Sequence, residues 1–235
     1  LEIEEERLVA LDGRGWKTDR LWNLLPFDPC RGEVAGSTEH WHLSKFHRTR
    51  MCGPGRVRLD ANFTSSFTAG TPIVLMHGDR VSGGIWVEQS EKVTIEDIMI
   101  HHAPGMGVIA QTSRDLEIDR LRVTPSGDRL FSTWVDAIHC TDCGGNTRIT
   151  GCELRGQFDD AVNLHARFYL VTDRMTPNTV RVRTVHPQHA GPCAAITGVG
   201  WAFYRRADLT RVHETSVIGV KQIDPEYAEI TFRGP

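Results

Sequence analysis

No stretch of this 235-residue sequence approaches the roughly 20 consecutive apolar residues that span a bilayer, so no membrane helix is expected. No signal peptide is expected either: the opening LEIEEERLVA is acidic where a leader is basic and then apolar, and it reads as a strand. Basic residues are not in excess, 27 Lys and Arg standing against 30 Asp and Glu for a formal charge of −3. The arginines are scattered, which argues against nucleic acid as a partner. Six cysteines are too few to build a disulfide scaffold in a chain this long. Cys140 and Cys143 have CxxC spacing, but a second such pair is missing, and buried structural thiols are expected in place of a metal site. Asn62-Phe63-Thr64 is a sequon of the kind that arises by chance.

What the sequence does have is alternation that repeats. GIWVEQSEKVTIEDIMI (84–100) aligns without a gap on GVIAQTSRDLEIDRLRV (107–123) at an offset of 23 residues. Ile85, Val87, Val93, Ile95, Ile98 and Ile100 fall on Val108, Ala110, Leu116, Ile118, Leu121 and Val123, and the positions between them are mostly polar or charged. Period-two alternation at a fixed spacing predicts short strands stacked on successive turns of a parallel β-helix, an all-β solenoid. A β-sandwich is the weaker alternative, because its strands keep no register between copies. A third copy, DAIHCTDCGGNTRITGCEL (136–154), aligns at 29 residues through Cys140 and at 31 by Ile149, which implies two inserted residues near Gly144-Gly145. A fourth begins at Asp160 with DAVNLH.

Outside this block the pattern changes. Residues 14–60, with Trp16, Trp22, Trp41, His40, His42 and His47 among prolines and glycines, read as irregular early turns of the same helix. From Val171 onward TVRVRTVHP, TRVHETSVIGVKQI and YAEITF read as antiparallel hairpins that do not share the repeat. Two domains are expected: a parallel β-helix over 1–170 and a small antiparallel barrel-like segment over 171–235.

The segment RGQFDDAVNLHARF (155–168) sets Asp159 beside Asp160 at a strand start, against the strand propensity of Asp. In the column reading Gly84, Gly107, Asp136 and Asp160 share one position, so Asp136 and Asp160 stack, point outward, and meet Asp159 in one patch. Two carboxylates about 5 Å apart repel by roughly 3 kcal/mol at an effective dielectric near 20. Such pairs suit glycoside hydrolysis, in which one acid protonates the leaving oxygen and another carboxylate attacks or activates water. An exposed acidic edge or a calcium site fits the same residues. His139 and Asn163 share a column with Val87 and Ala110 that alternation makes interior, so either a satisfied core pair or a substrate contact fits them. Trp134 suits a platform for a sugar ring or a cap on the core. His165 and Arg167 suit sugar contacts or a solvated loop.

These residues carry a resemblance. MHGDRVSGGIWVEQSEKVTIEDIMIHHAPGMGVIAQ, LRVTP, DAIHCTDC and GCELRGQFDDAVNLHA, within residues 76–166, resemble the exo-acting α-1,3-galactosidases of glycoside hydrolase family 110. The resemblance implies a right-handed parallel β-helix with a small inserted β-barrel. It also implies removal of terminal α-1,3-linked galactose from glycans such as the blood-group B determinant, by inversion, without a metal or other cofactor. It places active-site acids at Asp136, Asp159 and Asp160, and it suggests an extracellular or periplasmic location. Ala166 stands where the family pattern has glycine, and later turns of the helix are expected beyond Pro235. A polygalacturonase-like β-helix hydrolase is the alternative enzyme, although WVDAIH replaces the NTDG motif expected there. A non-catalytic β-helix that binds carbohydrate is the alternative without chemistry. Oligomeric state has no signal in the sequence.

Overall fold

The structure, a computed structural model, describes residues 82–186, 189, 191, 193–195 and 197–234. Within the first 81 residues it describes 2–4, 7–9, 17–18, 21–28, 30–31, 33–34, 41–42, 48–53, 56–60 and 69–77. Trp16, His40, His47 and the sequon at Asn62 lie outside the described residues. The described residues are almost entirely strand and turn, with no α-helix among them. None of them forms a helix long and apolar enough to cross a membrane.

The repeat appears as three parallel sheets. Ile85–Glu88, Val108–Gln111, Ile138–Thr141 and Val162–His165 form the first, in that order. Glu91–Glu96, Arg114–Asp119 and Gly144–Thr150 form the second, and Met99–Ile100, Arg122–Val123 and Glu153–Leu154 the third. Registers between the first two copies follow the offset of 23: Ile85 pairs with Val108, Val93 with Leu116, Ile95 with Ile118 and Ile100 with Val123. Alternation then decides the faces, and Val108, Ile118, Leu121, Val123 and Ile138 are fully buried, at 0–1% exposure.

The third copy is shifted by one residue from the expected offset of 29. Val108 N–H donates to Ala137 O just as Ile85 N–H donates to Gly107 O, so Val108 lies beside Ile138 and Gly107 beside Ala137. A one-residue slip exchanges the two faces of a strand. Cys140 therefore joins Val87 and Ala110 in the interior, 2% exposed, and His139 joins Trp86 and Ile109 on the outward face. The interior placement expected for His139 and Asn163 is corrected accordingly. The fourth copy is in the expected register with the third: Ala137 N–H donates to Asp160 O and Ile138 N–H to Ala161 O, so Asp136 and Asp160 do stack.

Corners between the sheets use the left-handed backbone region, which costs a non-glycine residue about 1–2 kcal/mol. They recur at Gln89, Thr112 and Asp142, at Lys92, Asp115 and Gly145, and at Asp97, Arg120 and Gly151, with φ between 48° and 68°. Polar side chains recover part of this cost, because Arg120 Nε and Nη2 donate to both oxygens of Asp97 at 2.7 and 2.8 Å. Glycine is required at the start of the first sheet. A Cβ on Gly84 would meet Gly107 O at 2.7 Å, and one on Gly107 would meet Ala137 O at 2.5 Å.

The chain divides into two compact units, Leu1–Cys140 with Gly145–Asn163, and Thr141–Gly144 with Leu164–Pro235. The first also holds antiparallel strands, Leu21–Asp28 pairing with Ile73–His77, Glu33–Val34 and Trp41–His42. Their buried Leu25, Phe27 and Val74 cluster with Phe158, and Phe131 and Trp134 pack against this cluster. The second holds a five-stranded antiparallel sheet in the order Tyr169–Thr176, Thr179–Thr184, Tyr227–Phe232, Arg211–Gln222 and Gly200–Tyr204. One face of it carries the core of Val182, Val217, Ala228, Ile230 and Phe232, with Tyr169, Trp201 and Phe203 at the margin. These are the hairpins that the sequence predicts after Val171.

Candidate active site

Asp136 lies two residues before the strand Ile138–Thr141, and Asp160 lies two residues before Val162–His165, so equivalent corners present both. Asp159 precedes Asp160 in the turn that follows Phe158, whose ring anchors this turn in the apolar cluster. One carboxylate oxygen from each of Asp136, Asp159 and Asp160 lies within 4.8 Å of the others. Their environments differ. Asp159 and Asp160 are exposed, whereas Asp136 is 2% exposed, which corrects its expected outward position.

A buried carboxylate needs donors, because unpaired burial of charge is expensive. Asp136 has two. His139 Nδ1 lies 2.5 Å from Asp136 Oδ2, and the backbone N–H of Asp160 donates to Asp136 Oδ1 at 3.2 Å. On the adjacent strand Asn163 Nδ2 donates to Asp160 Oδ2 at 3.1 Å. The two braces have the same geometry, each acid being held by the side chain three residues later. They recur 24 residues apart because the strands are in register. His139 and Asn163 are thus brought to the acids from the outward face.

An all-oxygen cluster of this size suits a hard cation. Both oxygens of Asp136 already accept hydrogen bonds, however, so a cation drawing on all three acids would displace a donor or share an oxygen with one. The same arrangement suits proton transfer, with one acid fixed in place and two exposed carboxyl groups beside it. Gln157, two residues before Asp159, has a buried Oε1 that accepts no hydrogen bond among the described residues.

Trp134 belongs to the same unit, where its ring meets Phe131 edge-on at 5.8 Å against the Leu25, Phe27, Val74 and Phe158 cluster. Its backbone N–H donates to Gly105 O at 3.1 Å. Much of its surface is thereby used as a cap on the core. His165 and Arg167 belong to the second unit. His165 Nε2 lies 3.2 Å from Thr141 Oγ1, and its ring stacks on His189 at 5.8 Å between centroids. Arg167 binds Asp142 through both its backbone N–H, at 2.7 Å, and its Nε. Asp142 was not singled out from the sequence; its only local signal is a carboxylate at a corner position that otherwise carries Gln89 and Thr112. Cys143 Sγ lies 3.7 Å from Thr141 O, and Cys152 Sγ lies 3.2 Å from Thr150 O.

Fold and site together define a class: an all-β protein of stacked parallel strands that holds a buried aspartate and two exposed ones in a single cluster. No family model matches the sequence. Individual relatives do. The α-1,3-galactosidase A of Bacteroides fragilis is 26% identical over 226 residues, which is 95% of this chain and 37% of that protein. The α-1,3-galactosidase A of Shewanella woodyi is 28% identical over 241 residues, 100% of this chain and 39% of that protein. The α-1,3-galactosidase A of Akkermansia muciniphila is 30% identical over 154 residues, 65% of this chain and 26% of that protein. By sequence the chain is thus similar to proteins named α-1,3-galactosidases, the family its motifs resemble. It spans about two fifths or less of the length of these relatives.

Proposed function

We propose that this chain supplies the acids of a glycoside hydrolase that removes terminal α-1,3-linked galactose from glycans with inversion at the anomeric carbon. The observation that supports it is the cluster of Asp136, Asp159 and Asp160 within 4.8 Å, in a chain whose relatives are named α-1,3-galactosidases. In this reading Asp136 and Asp160, joined through the backbone N–H of Asp160, orient and deprotonate the attacking water. The exposed carboxyl of Asp160 meets that water, and buried Asp136 holds it in place with His139 behind. Asp159 protonates the departing glycosidic oxygen. His139, Asn163 and Trp134, in the unit that bears the acids, are proposed as the surrounding substrate contacts, and His165 and Arg167 as sugar contacts carried by the second unit. The architecture proposed with it is a right-handed parallel β-helix over 1–170, with 171–235 as a small inserted barrel.

The nearest oxygens are closer to the separation of about 5–5.5 Å in retaining enzymes than to the about 6.5–9.5 Å of inverting ones. Each carboxyl has a second oxygen outside that measure, and inversion is proposed from the family resemblance, not from the distance. The test is to incubate a form carrying the whole protein with p-nitrophenyl α-galactoside and with α-1,3-linked galactobiose, following the released sugar by NMR. First-formed β-galactose is the expected result. First-formed α-galactose would replace inversion by a double displacement, and absence of any release would sink the hydrolase reading.

A further inference from the structure

The outward face of the first parallel sheet carries more than the supports of the acids. Register places Trp86 beside Ile109 and Glu88 beside Gln111. The ladder onto the next strand continues the first of these columns through His139, and the following one brings it to Asn163. Trp86 therefore heads the column whose other end braces Asp136 and Asp160. It is 57% exposed, although it is the largest side chain on the sheet, while Val87 beside it in the chain turns inward to 8%. Two strand spacings of roughly 4.8 Å separate it from His139 along the stack. Glu88 is exposed and Gln111 half-buried one position further along the same face.

The geometry points to a second sugar subsite on this face, with Trp86 as its floor, for a neutral pyranose of the glycan that carries the terminal galactose. This inference rests on the galactosidase reading above. An exposed indole offers a broad apolar surface to the apolar face of a sugar ring, and its large, rigid area is ordered at little entropic cost. Glu88 and Gln111 offer an acceptor and an amide to the hydroxyls at the ring edge. Charge commits the occupant further. Glu88 at one end and the exposed Asp159 and Asp160 near the other are acidic, which repels carboxylated or sulfated sugars and favours a neutral one. Trp86 then contributes to the preference for a longer glycan over free galactose, and is a binding residue that takes no part in bond breaking.

The test reads binding separately from turnover. The 15N-labelled protein is titrated with galactose, with a neutral trisaccharide ending in α-1,3-linked galactose, and with a sialylated trisaccharide of the same length. The indole N–H signal of Trp86, assigned by its loss in Trp86→Phe, is expected to move with the neutral trisaccharide and to stay in place with galactose and the sialylated sugar. The His139 ring signals report occupation of the acid cluster. Trp86→Ala is expected to weaken trisaccharide binding about tenfold, leaving galactose binding within about twofold. If His139 responds and Trp86 does not, the subsite is refuted while the galactosidase reading stands. Response of Trp86 to the sialylated sugar overturns the choice of occupant, and response of neither residue to any sugar overturns both readings.

Discussion

The acids differ in their support, and this difference makes each residue separately testable. Asp136 is buried and accepts from His139 and from the backbone of Asp160, so Asp136→Asn keeps the shape but places an amide against donors. Replacing each of Asp136, Asp159 and Asp160 by Asn in the whole protein is expected to lower kcat/KM by about 10²–10⁴-fold, measured on α-1,3-linked galactobiose. Near-normal turnover in all three variants would remove the acids from the mechanism. Gln157 tests a different cost. Its buried Oε1 lacks a partner among the described residues, and such an atom costs about 1–3 kcal/mol, so Gln157→Met is expected to raise the unfolding midpoint. At this scale the sequence was informative about the acids and misleading about their braces. Asp136 and Asp160 stack because the offset of 24 between them is within one residue of the 23-residue repeat. His139 was placed inside because the preceding offset is one residue longer than the alignment suggested, and Asp and Gly tolerate the same corner, so composition gave no warning of the slip.

For the elements, glycine and left-handed corners set the spacing between strands. Gly107→Ala would drive a methyl group into Ala137 O, from a starting separation of 2.5 Å, and into a Val123 methyl at 3.3 Å. Because the first of these contacts is backbone, the strand itself must move, and overpacking of this kind costs about 1–3 kcal/mol. A fall of several degrees in the thermal unfolding midpoint is expected, and an unchanged midpoint would mean that the strands are further apart than described. Thr112 gives the opposite prediction. It is β-branched and sits at φ 51°, where glycine pays no steric cost. Thr112→Gly is expected to be neutral to stabilising by up to about 1 kcal/mol in chemical denaturation. The alternating strands were legible between Ile85 and Val123, since apolar residues recur there at matching positions 23 residues apart. The corners were legible only as polar insets, because Gln89, Lys92 and Asp97 carry no mark of a positive φ.

Across the whole molecule, pH limits are expected at both ends from groups in the second unit. Partial burial holds the His189 imidazole below its usual range, and His165, Arg167 and His186 push it the same way, with Asp142 opposing. A histidine lowered on folding stabilises the fold above its unfolded value near 6.5, and that contribution is lost as pH falls through the folded value. Burial pushes the Tyr169 phenol up to about 12, although the Ala194 N–H that it accepts works the other way. A tyrosine raised on folding stabilises below its unfolded value near 10, and the contribution is lost as pH climbs through about 12. Unfolding of this chain followed from pH 4 to 12 should therefore show an acid limb that His189→Asn flattens. An acid limb identical in that variant would assign it to the carboxylates.

By itself, the sequence determined that strands would repeat, that Val87, Ile95, Ile100 and their counterparts Ala110, Ile118 and Val123 would lie on one buried face, and that Asp136 and Asp160 would share a column with Asp159 beside them. Those features depend on period-two alternation and on short offsets, both of which are local. Only the tertiary structure decided that Asp136 is buried while its neighbours are exposed, that His139 and Asn163 reach the acids from outside, and that Trp134 caps the Phe158 cluster. These outcomes depend on the register across an insertion and on strands from distant parts of the chain folding against the turn that bears the acids. Burial and hydrogen bonding belong to pairs of segments, and no single segment carries them alone.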